Sequence, residues 1–211
     1  MSVQAELREH HQVLGLRIGS SEIETEFLRK SIHLLIAAVP LLAIINIAFT
    51  ISLLGAGTII YTYAERRRAA GYRVAFISII TSAAARERDE GKFVLGPVTL
   101  AIGAMIALLL YPEPAAFIAI YALAFGDGLS SIVGKLFGSI RIPLTGGKTL
   151  AGSAACFLAV YFVSYRFTAK MIPSLAVAAA ATLLEALPTK DLDNIILPVG
   201  TGFVASQLLL T

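Results

Sequence analysis

Long apolar stretches separated by short polar segments dominate the chain after residue 30. A bilayer core about 30 Å thick requires about 20 helical residues, at a rise of about 1.5 Å each. The first stretch, residues 31–64, is too long for one crossing and predicts a hairpin that turns near Asn46, with a first helix over 31–45. Residues 72–85 are apolar but too short to cross, which is typical of an interfacial or re-entrant helix.

Five further apolar segments predict one crossing each, and the Tyr-Pro-Glu-Pro break at 111–114 separates the first two. The segments are residues 93–111, 115–135, 150–167, 172–187 and 194–210. The pattern therefore predicts an all-α, polytopic integral membrane protein with about seven transmembrane helices.

Composition and charge agree with a membrane protein. Hydrophobic residues make up 57% of the chain and charged residues only 15%, against about a quarter in soluble domains. With a cytoplasmic N-terminus, only Arg166 and Lys170 of the 17 lysines and arginines lie on the far side, as the positive-inside rule favours. We therefore expect an integral protein of the cytoplasmic membrane of a prokaryote, with its charged site facing the cytoplasm. Cys156 is the only cysteine, which excludes a disulfide framework and a cysteine metal site.

Asp127 is the residue whose position the rules of membrane insertion explain least. It lies about 12 Å below the cytoplasmic end of its predicted helix, where a carboxylate costs at least about 2.5 kcal/mol. Ser131 and Lys135 follow at i+4 and i+8 and share its helix face. The small residues that open this face are Gly126, Gly128, Gly134 and Gly138. They indicate either a binding site or a tight helix–helix seam with Asp127 paired to a basic residue.

A glycine-rich basic loop follows, with the sequence TGGKTLAG at 145–152. A Walker A motif is excluded, because Ile142 occupies the position of its first glycine. Glycines and a lysine at the start of a helix nevertheless predict an anion-binding site. The alternative is a basic loop that contacts anionic lipid headgroups.

Carboxylates appear again near the last two predicted helices. Glu185 lies in an apolar run, and Asp191, Asp193 and Asn194 follow it. Such an acidic cluster suits Mg²⁺, which prefers carboxylates, waters and substrate phosphates. A solvated turn with Asp193 as a helix N-cap is the alternative.

The first helix begins with the basic pair Arg29 and Lys30. Glu26 is placed to form a surface salt bridge with Lys30 at i+4, and topological anchoring accounts for much of the basic pair. His33 lies inside the apolar run, where anchoring does not explain it. The charged segments 65–68 and 86–92 are interpreted as stop signals or lipid-headgroup patches.

Several cations, carboxylates and glycine loops on one face suit a polyphosphate with Mg²⁺, and a site at membrane depth indicates a lipid as the second substrate. The residues resemble a known family, the CTP-dependent lipid-alcohol kinases, which include dolichol kinase, phytol kinase and the CTP-dependent diacylglycerol kinase. The strongest match is segment 125–154, FGDGLSSIVGKLFGSIRIPLTGGKTLAGSA. The motifs at 26–33, 65–66, 86–91 and 185–198 match in the same order, so the resemblance covers nearly the whole chain after residue 26.

The resemblance implies a polar cytoplasmic tail, residues 1–28, and one transmembrane catalytic domain, residues 29–211. It implies transfer of the γ-phosphoryl group of CTP to a lipid alcohol with Mg²⁺ or a similar cation, and no nucleic-acid partner. The expected catalytic residues are Arg29, Lys30, His33, Asp127 and Lys148. The residues expected to bind CTP are Gly126, Gly128, Ser131, Gly134, Lys135, Gly138, Gly146, Gly147, Thr149, Gly152 and Asn194. Asp127, Glu185 and Asp193 are expected to bind the metal, and the general base is Asp127 or His33.

Two other functions stay open as alternatives. Phosphatidate cytidylyltransferases are similar over the central region and also bind CTP and Mg²⁺, but their C-terminal His-Gly-Gly pattern is absent from this chain. A small transporter with Asp127 and Glu185 as coupling carboxylates is a more distant alternative, because the chain shows no convincing internal repeat.

Overall fold

The computed structural model describes residues 20–72, 92–189 and 192–209. Most of the predicted interfacial helix at 72–85, most of the segment 86–92, and Asp191 lie outside the described residues. The described residues form helices and turns, and the pair Arg141 and Thr149 forms an isolated antiparallel bridge. The all-α prediction is confirmed for this part of the chain.

The helices are numbered here in chain order over the described ranges. They are α1 (Ser20–Leu34), α2 (Val39–Ile45), α3 (Ile47–Ala69), α4 (Gly96–Leu110), α5 (Ala115–Tyr121), α6 (Gly128–Phe137), α7 (Leu150–Thr168), α8 (Met171–Glu185) and α9 (Asp193–Leu209). A 3-10 turn, Leu35–Ala38, joins α1 to α2, and a π-helical turn, Ala122–Asp127, joins α5 to α6. The predicted ends of the last five segments differ from the observed ends by three residues or fewer.

The predicted turn of the first hairpin falls at Asn46, as expected. Its backbone is extended, with φ −161°, and its side-chain oxygen accepts a hydrogen bond from the backbone N–H of Phe49 at 2.9 Å. This is an N-cap, and it satisfies one of the unpaired donors at the start of α3. A single asparagine therefore ends α2 and begins α3.

Within the described residues, four helical segments are long and apolar enough to cross a bilayer: Glu26–Ile45, Ile47–Ala69, Ala115–Phe137 and Leu150–Thr168. Two further apolar helices, α4 and α8, are shorter than a usual span. Membrane-spanning helices are thus confirmed. The count of seven and the cytoplasmic N-terminus stay predictions.

The α5 helix and the π-helical turn after it occupy the centre of the described bundle. Ile118, Ile120 and Leu123 are fully buried, and the apolar residues around them belong to two clusters that pack on either side. A π-helical turn has one residue more per hydrogen-bonded turn than an α-helix, and such turns are frequent at functional sites. Asp127 is the last residue of this turn and is buried, so the turn places a carboxylate inside the bundle, directly before α6.

The α6 and α7 helices approach each other closely through glycines. A Cβ atom on Gly138 would lie 2.4 Å from Oγ1 of Thr149, and one on Gly152 would lie 2.6 Å from the backbone oxygen of Ser130. Thr149 is the N-cap of α7, and its Oγ1 accepts from the N–H of Gly152 at 3.2 Å. The small-residue seam proposed as one alternative is therefore present, and it holds the 138–149 loop at the end of the bundle.

Candidate active site

A cavity of about 640 Å³ lies where α1, α6, the 138–149 loop and the facing ends of α8 and α9 meet. Most residues expected to form the site line it, although they are spread over more than 160 positions of the chain. These residues are Arg29, Lys30, Asp127, Ser131, Gly134, Lys135, Gly138, Gly146, Gly147, Lys148, Thr149, Gly152, Glu185 and Asp193. Asp127, Ser131 and Lys135 all face the cavity, as their spacing predicts.

Asp127 is held by two side chains of α1. The ammonium of Lys30 donates a hydrogen bond to Oδ2 of Asp127, and both side chains are only 4% exposed. The His33 ring, one helical turn further on, places Nε2 3.1 Å from the same oxygen. A buried carboxylate is strongly unfavourable without such partners, so the pair fixes α1 against the central helix.

The contacts of His33 show which of its ring nitrogens carries hydrogen. Its Nε2 lies 2.9 Å from the backbone oxygen of Leu123 and 3.1 Å from the carboxylate of Asp127, and both of these groups only accept hydrogen bonds. The Nε2 atom therefore carries hydrogen and donates. In this arrangement His33 positions Asp127 and cannot accept a proton through Nε2.

A second lysine–carboxylate pair lies across the cavity. The ammonium of Lys148 donates to Oε1 of Glu185, which is 1% exposed, and the hydroxyl of Ser130 donates to the same oxygen at 2.8 Å. Burial disfavours the charged form of Lys148, but the carboxylates of Glu185 and Asp127 outweigh it and raise the pKa of the ammonium above its usual value. Lys148 is therefore a cation in the cavity wall at neutral pH.

Glu26 does not form the surface salt bridge that was predicted for it. It is buried, its carboxylate accepts from the guanidinium of Arg29, and Nζ of Lys135 on α6 lies 3.1 Å from its other oxygen. The predicted partner, Lys30, turns instead to Asp127. Glu26 and Lys30 have the i, i+4 spacing of a helical ion pair. Because α1 packs on α6, however, Lys135 of α6 contacts Glu26 instead.

The carboxylates fit a divalent cation only in part. Within the described residues, no three carboxylate, histidine or cysteine side chains converge closely enough to enclose a metal ion. Oε2 of Glu185, however, is buried and has no hydrogen-bond partner among them, and Asp193 lines the same cavity. A buried carboxylate oxygen without a donor suits a cation that a polyphosphate brings with it.

Four of the expected residues do not line the cavity. Gly126 faces Cys156 and Val160 of α7, Gly128 faces Leu34, and His33 lies behind Asp127. The side-chain amide of Asn194 donates to the hydroxyl of Thr99 at 2.9 Å and to the backbone oxygen of Gly96 at 3.3 Å, which ties α9 to α4. These contacts give the three CTP-binding candidates packing roles.

Several lining residues were not among the predicted site residues: Glu26, Ser130, Arg141, Thr145, Ser153, Leu187 and Pro188. Ser153 lies one helical turn after Thr149, and Arg141 and Thr145 belong to the same loop as Lys148. Helical spacing and position in the loop could therefore have predicted these three residues. Leu187 and Pro188 gave no such signal, because apolar residues at a helix end are ordinary in a membrane protein.

The cluster at 65–68 is structural rather than part of the cavity. Glu65 is fully buried and accepts from the guanidinium of Arg68 at 2.7 Å and from the backbone N–H of Val94 at 2.8 Å. The guanidinium of Arg67 stacks over the ring of Tyr72, 4.1 Å from its centroid. The Glu65–Arg68 pair therefore fastens α3 to the segment that precedes α4.

The chain was compared with known proteins. No family model matches it, and no solved structure matches it. A probable phytol kinase of Triticum aestivum is 29% identical over 141 residues, which cover 58% of this chain and 47% of the relative. A farnesol kinase of Arabidopsis thaliana is 30% identical over 125 residues, 52% of this chain and 41% of the relative. The chain is thus similar, over part of its length, to phytol and farnesol kinases.

Phytol kinase 1 of Arabidopsis thaliana is also similar, with 26% identity over 148 residues, 61% of this chain and 48% of the relative. The predicted resemblance to lipid-alcohol kinases is thus confirmed. The chain spans about half the length of the curated relatives it matches.

The predicted location is wrong. All three relatives are named as chloroplastic proteins of plants, so the comparison points to a plastid membrane and not to the cytoplasmic membrane of a prokaryote. Hydropathy and charge bias predict that a chain crosses a membrane and in which orientation. They do not distinguish a plastid membrane from the cytoplasmic membrane of a prokaryote.

Proposed function

We propose that this chain is a membrane-embedded lipid kinase, with residues 29–211 as one catalytic domain, that transfers the γ-phosphoryl group of CTP to a lipid alcohol. The observation that carries the proposal is the cavity in which two lysine–carboxylate pairs face each other beside a glycine loop, at the end of membrane-spanning helices. Similarity to phytol and farnesol kinases supports a lipid alcohol, and an isoprenoid one in particular, as the acceptor.

The triphosphate would bind against the cationic side of the cavity. Lys148, Arg29 and Lys135 line it, and Gly146 and Gly147 have positive φ angles of 70° and 103°. Such a loop exposes backbone N–H groups to an anion, and the three cations neutralise charge that builds up on the transferred group. Phosphoryl transfer needs little more from the protein than positioning and charge neutralisation.

Glu185 and Asp193 would hold the divalent cation that accompanies the nucleotide. Such a cation, if bound, would stabilise the negative charge that develops on the phosphates. On the protein side, the ammonium of Lys148 contacts Oε1 of Glu185, while Oε2 has no partner among the described residues and is available to a cation. Ser130 would orient the carboxylate through its 2.8 Å hydrogen bond to Oε1.

Asp127 is the group best placed to receive the proton of the acceptor hydroxyl. His33 is excluded from that role through Nε2, which donates to Leu123. The substrate O–H bond would break toward the Asp127 carboxylate, while the oxygen forms its bond to the γ-phosphorus and CDP leaves. Lys30 and His33 hold the carboxylate in place. Because the transition state of phosphoryl transfer is loose, the hydroxyl needs little activation.

The test uses the purified chain in lipid vesicles, Mg²⁺, and CTP labelled at the γ-phosphate. Phytol, farnesol, a polyprenol and diacylglycerol are offered separately, and the organic phase is analysed for a labelled lipid phosphate. Label in an isoprenoid alcohol is the expected result. A parallel reaction offers phosphatidate with CTP labelled at the α-phosphate. If label enters lipid only in that reaction, the chain is a cytidylyltransferase and the kinase proposal is wrong.

Asp127→Asn should reduce the rate by at least about 10²-fold, the usual scale for loss of a positioned acid–base group. The matched control is Glu113→Gln, which changes an exposed carboxylate in the turn between α4 and α5 and should keep full activity. Folding is monitored independently by the accessibility of Cys156, which is fully buried. A folded, fully active Asp127→Asn protein would remove Asp127 from the mechanism.

A further inference from the structure

The 138–149 loop has a second face that the proposed phosphoryl transfer does not use. Its two arms are joined by backbone hydrogen bonds, from Ile142 N–H to the oxygen of Lys148 at 2.8 Å and from Leu150 N–H to the oxygen of Ile140 at 2.9 Å. The loop is therefore a short hairpin with a defined shape. Its inner side, from Thr145 to Lys148, lines the cavity.

The tip of the hairpin presents Leu144 outward. This side chain is 96% exposed, more than any other large apolar residue among those described, and its backbone has φ +66°. A bulky residue rarely adopts that region of backbone space, which glycine or asparagine would adopt more easily. No described residue covers Leu144, so contacts within the described structure do not explain a leucine at this position.

The apolar surface continues on both sides of the tip. The exposed residues are Leu136 and Phe137 at the end of α6, Ile140 in the first arm, and Leu150 at the start of α7. Both helices belong to candidate membrane spans, Ala115–Phe137 and Leu150–Thr168, which end where the hairpin begins and resume where it ends. The hairpin surface is thus continuous with the ends of two candidate membrane spans.

We propose that the tip of the 138–149 hairpin, through Leu144 and Ile140, inserts into the interfacial layer of the bilayer and fixes the inner side of the same hairpin at that depth. The apolar positions are interspersed along the chain with Lys135 at the end of α6 and Arg141 in the first arm, which are both exposed and also line the edge of the cavity. Cations beside an apolar tip suit anionic lipid headgroups. They disfavour a second copy of the chain at this surface, because like charges would then face each other.

This inference concerns the partner of the hairpin surface and does not rest on the proposed function. A chain that failed to phosphorylate any lipid could still show the insertion, and a kinase could lack it. The chain contains no tryptophan, so one introduced indole reports on one position without background.

The experiment places tryptophan at Leu144 (Leu144→Trp) and measures its fluorescence in vesicles of phosphatidylcholine and phosphatidylglycerol. Parallel vesicles contain phospholipids brominated either near the headgroup end or deep in the acyl chain. We expect blue-shifted emission that shallow bromines quench several-fold more strongly than deep ones. Ile140→Trp probes the same surface independently and should behave alike if Leu144→Trp disturbs the loop.

Two matched controls bracket the result. Ile59→Trp lies on an exposed apolar face in α3, within a candidate span, and should be quenched by deep bromines. Glu113→Trp lies in an exposed polar turn and should emit as a solvated indole without lipid quenching. If the emission of the Leu144→Trp and Ile140→Trp proteins resembles that of the Glu113→Trp control, the hairpin faces water and the proposal is overturned. Blue-shifted emission that no brominated lipid quenches would indicate a protein contact and would overturn it equally.

Discussion

The ion pair between Lys30 and Asp127 should contribute to stability in a way that a double-mutant cycle can measure. Lys30→Met leaves a carboxylate that is 4% exposed without its ammonium, and among the described residues His33 is the other side chain in contact with it. Removing one partner of a buried pair costs about 3–5 kcal/mol, because the remaining charge is desolvated and unpaired. For a chain of this length that corresponds to a decrease of about 6–20 °C in the midpoint of unfolding.

Replacing both partners should be far less damaging than replacing either one. The Lys30→Met, Asp127→Leu protein removes both charges and fills the space with apolar groups, and such replacements are often neutral or stabilising. We therefore expect a coupling free energy of at least about 2 kcal/mol between the two positions, beyond the additivity of independent sites. The double variant should recover stability and stay inactive, which separates the structural contribution of the pair from its chemical one.

Cys156 supplies the assay, because it is the only cysteine and is fully buried in α7. A thiol-reactive dye added during a thermal ramp in detergent micelles labels the chain only after it opens. Lys92→Met, at an exposed lysine, is the control and should change stability by less than about 0.5 kcal/mol. A Lys30→Met protein within about 1 kcal/mol of the parent would refute the reasoning, since no buried pair loses a partner at so small a cost.

Two further predictions concern the loop and its support. Gly138→Ala should lower stability by about 1–3 kcal/mol or more, because the new Cβ would lie 2.4 Å from Oγ1 of Thr149, the N-cap of α7. Gly57→Ala, in open space, should be neutral or stabilising by up to about 1 kcal/mol. The same dye assay measures both, and equal effects would contradict the close α6–α7 contact. Lys148→Met should raise the apparent Kd for CTP, measured by calorimetry, by about 10-fold or more, whereas Lys148→Arg should retain part of the affinity. Unchanged affinity in Lys148→Met would place the triphosphate elsewhere.

The sequence by itself determined the elements of this protein. Inside a bilayer every backbone group must be satisfied within its own segment, so an apolar run of sufficient length predicts a helix whatever its neighbours are. Local sequence also determined the turn at Asn46 and the start of α7 at Thr149. Each of these caps needs only one side chain and the backbone N–H three residues further on. The residues of the cavity could also be listed in large part, since charges and glycines in membrane segments need a reason to be there.

Only the tertiary structure decided which of those residues meet. Lys30 pairs with a carboxylate 97 positions away rather than with Glu26 four positions away, and Glu26 instead gains Lys135 from α6. His33 is a donor because its Nε2 meets the backbone oxygen of Leu123. Leu144 points outward because backbone hydrogen bonds close the hairpin at whose tip it lies. The physical reason is common to all of these. Spacing along a helix fixes which side chains share a face, whereas the partner of a buried charge is fixed by which helix packs against that face.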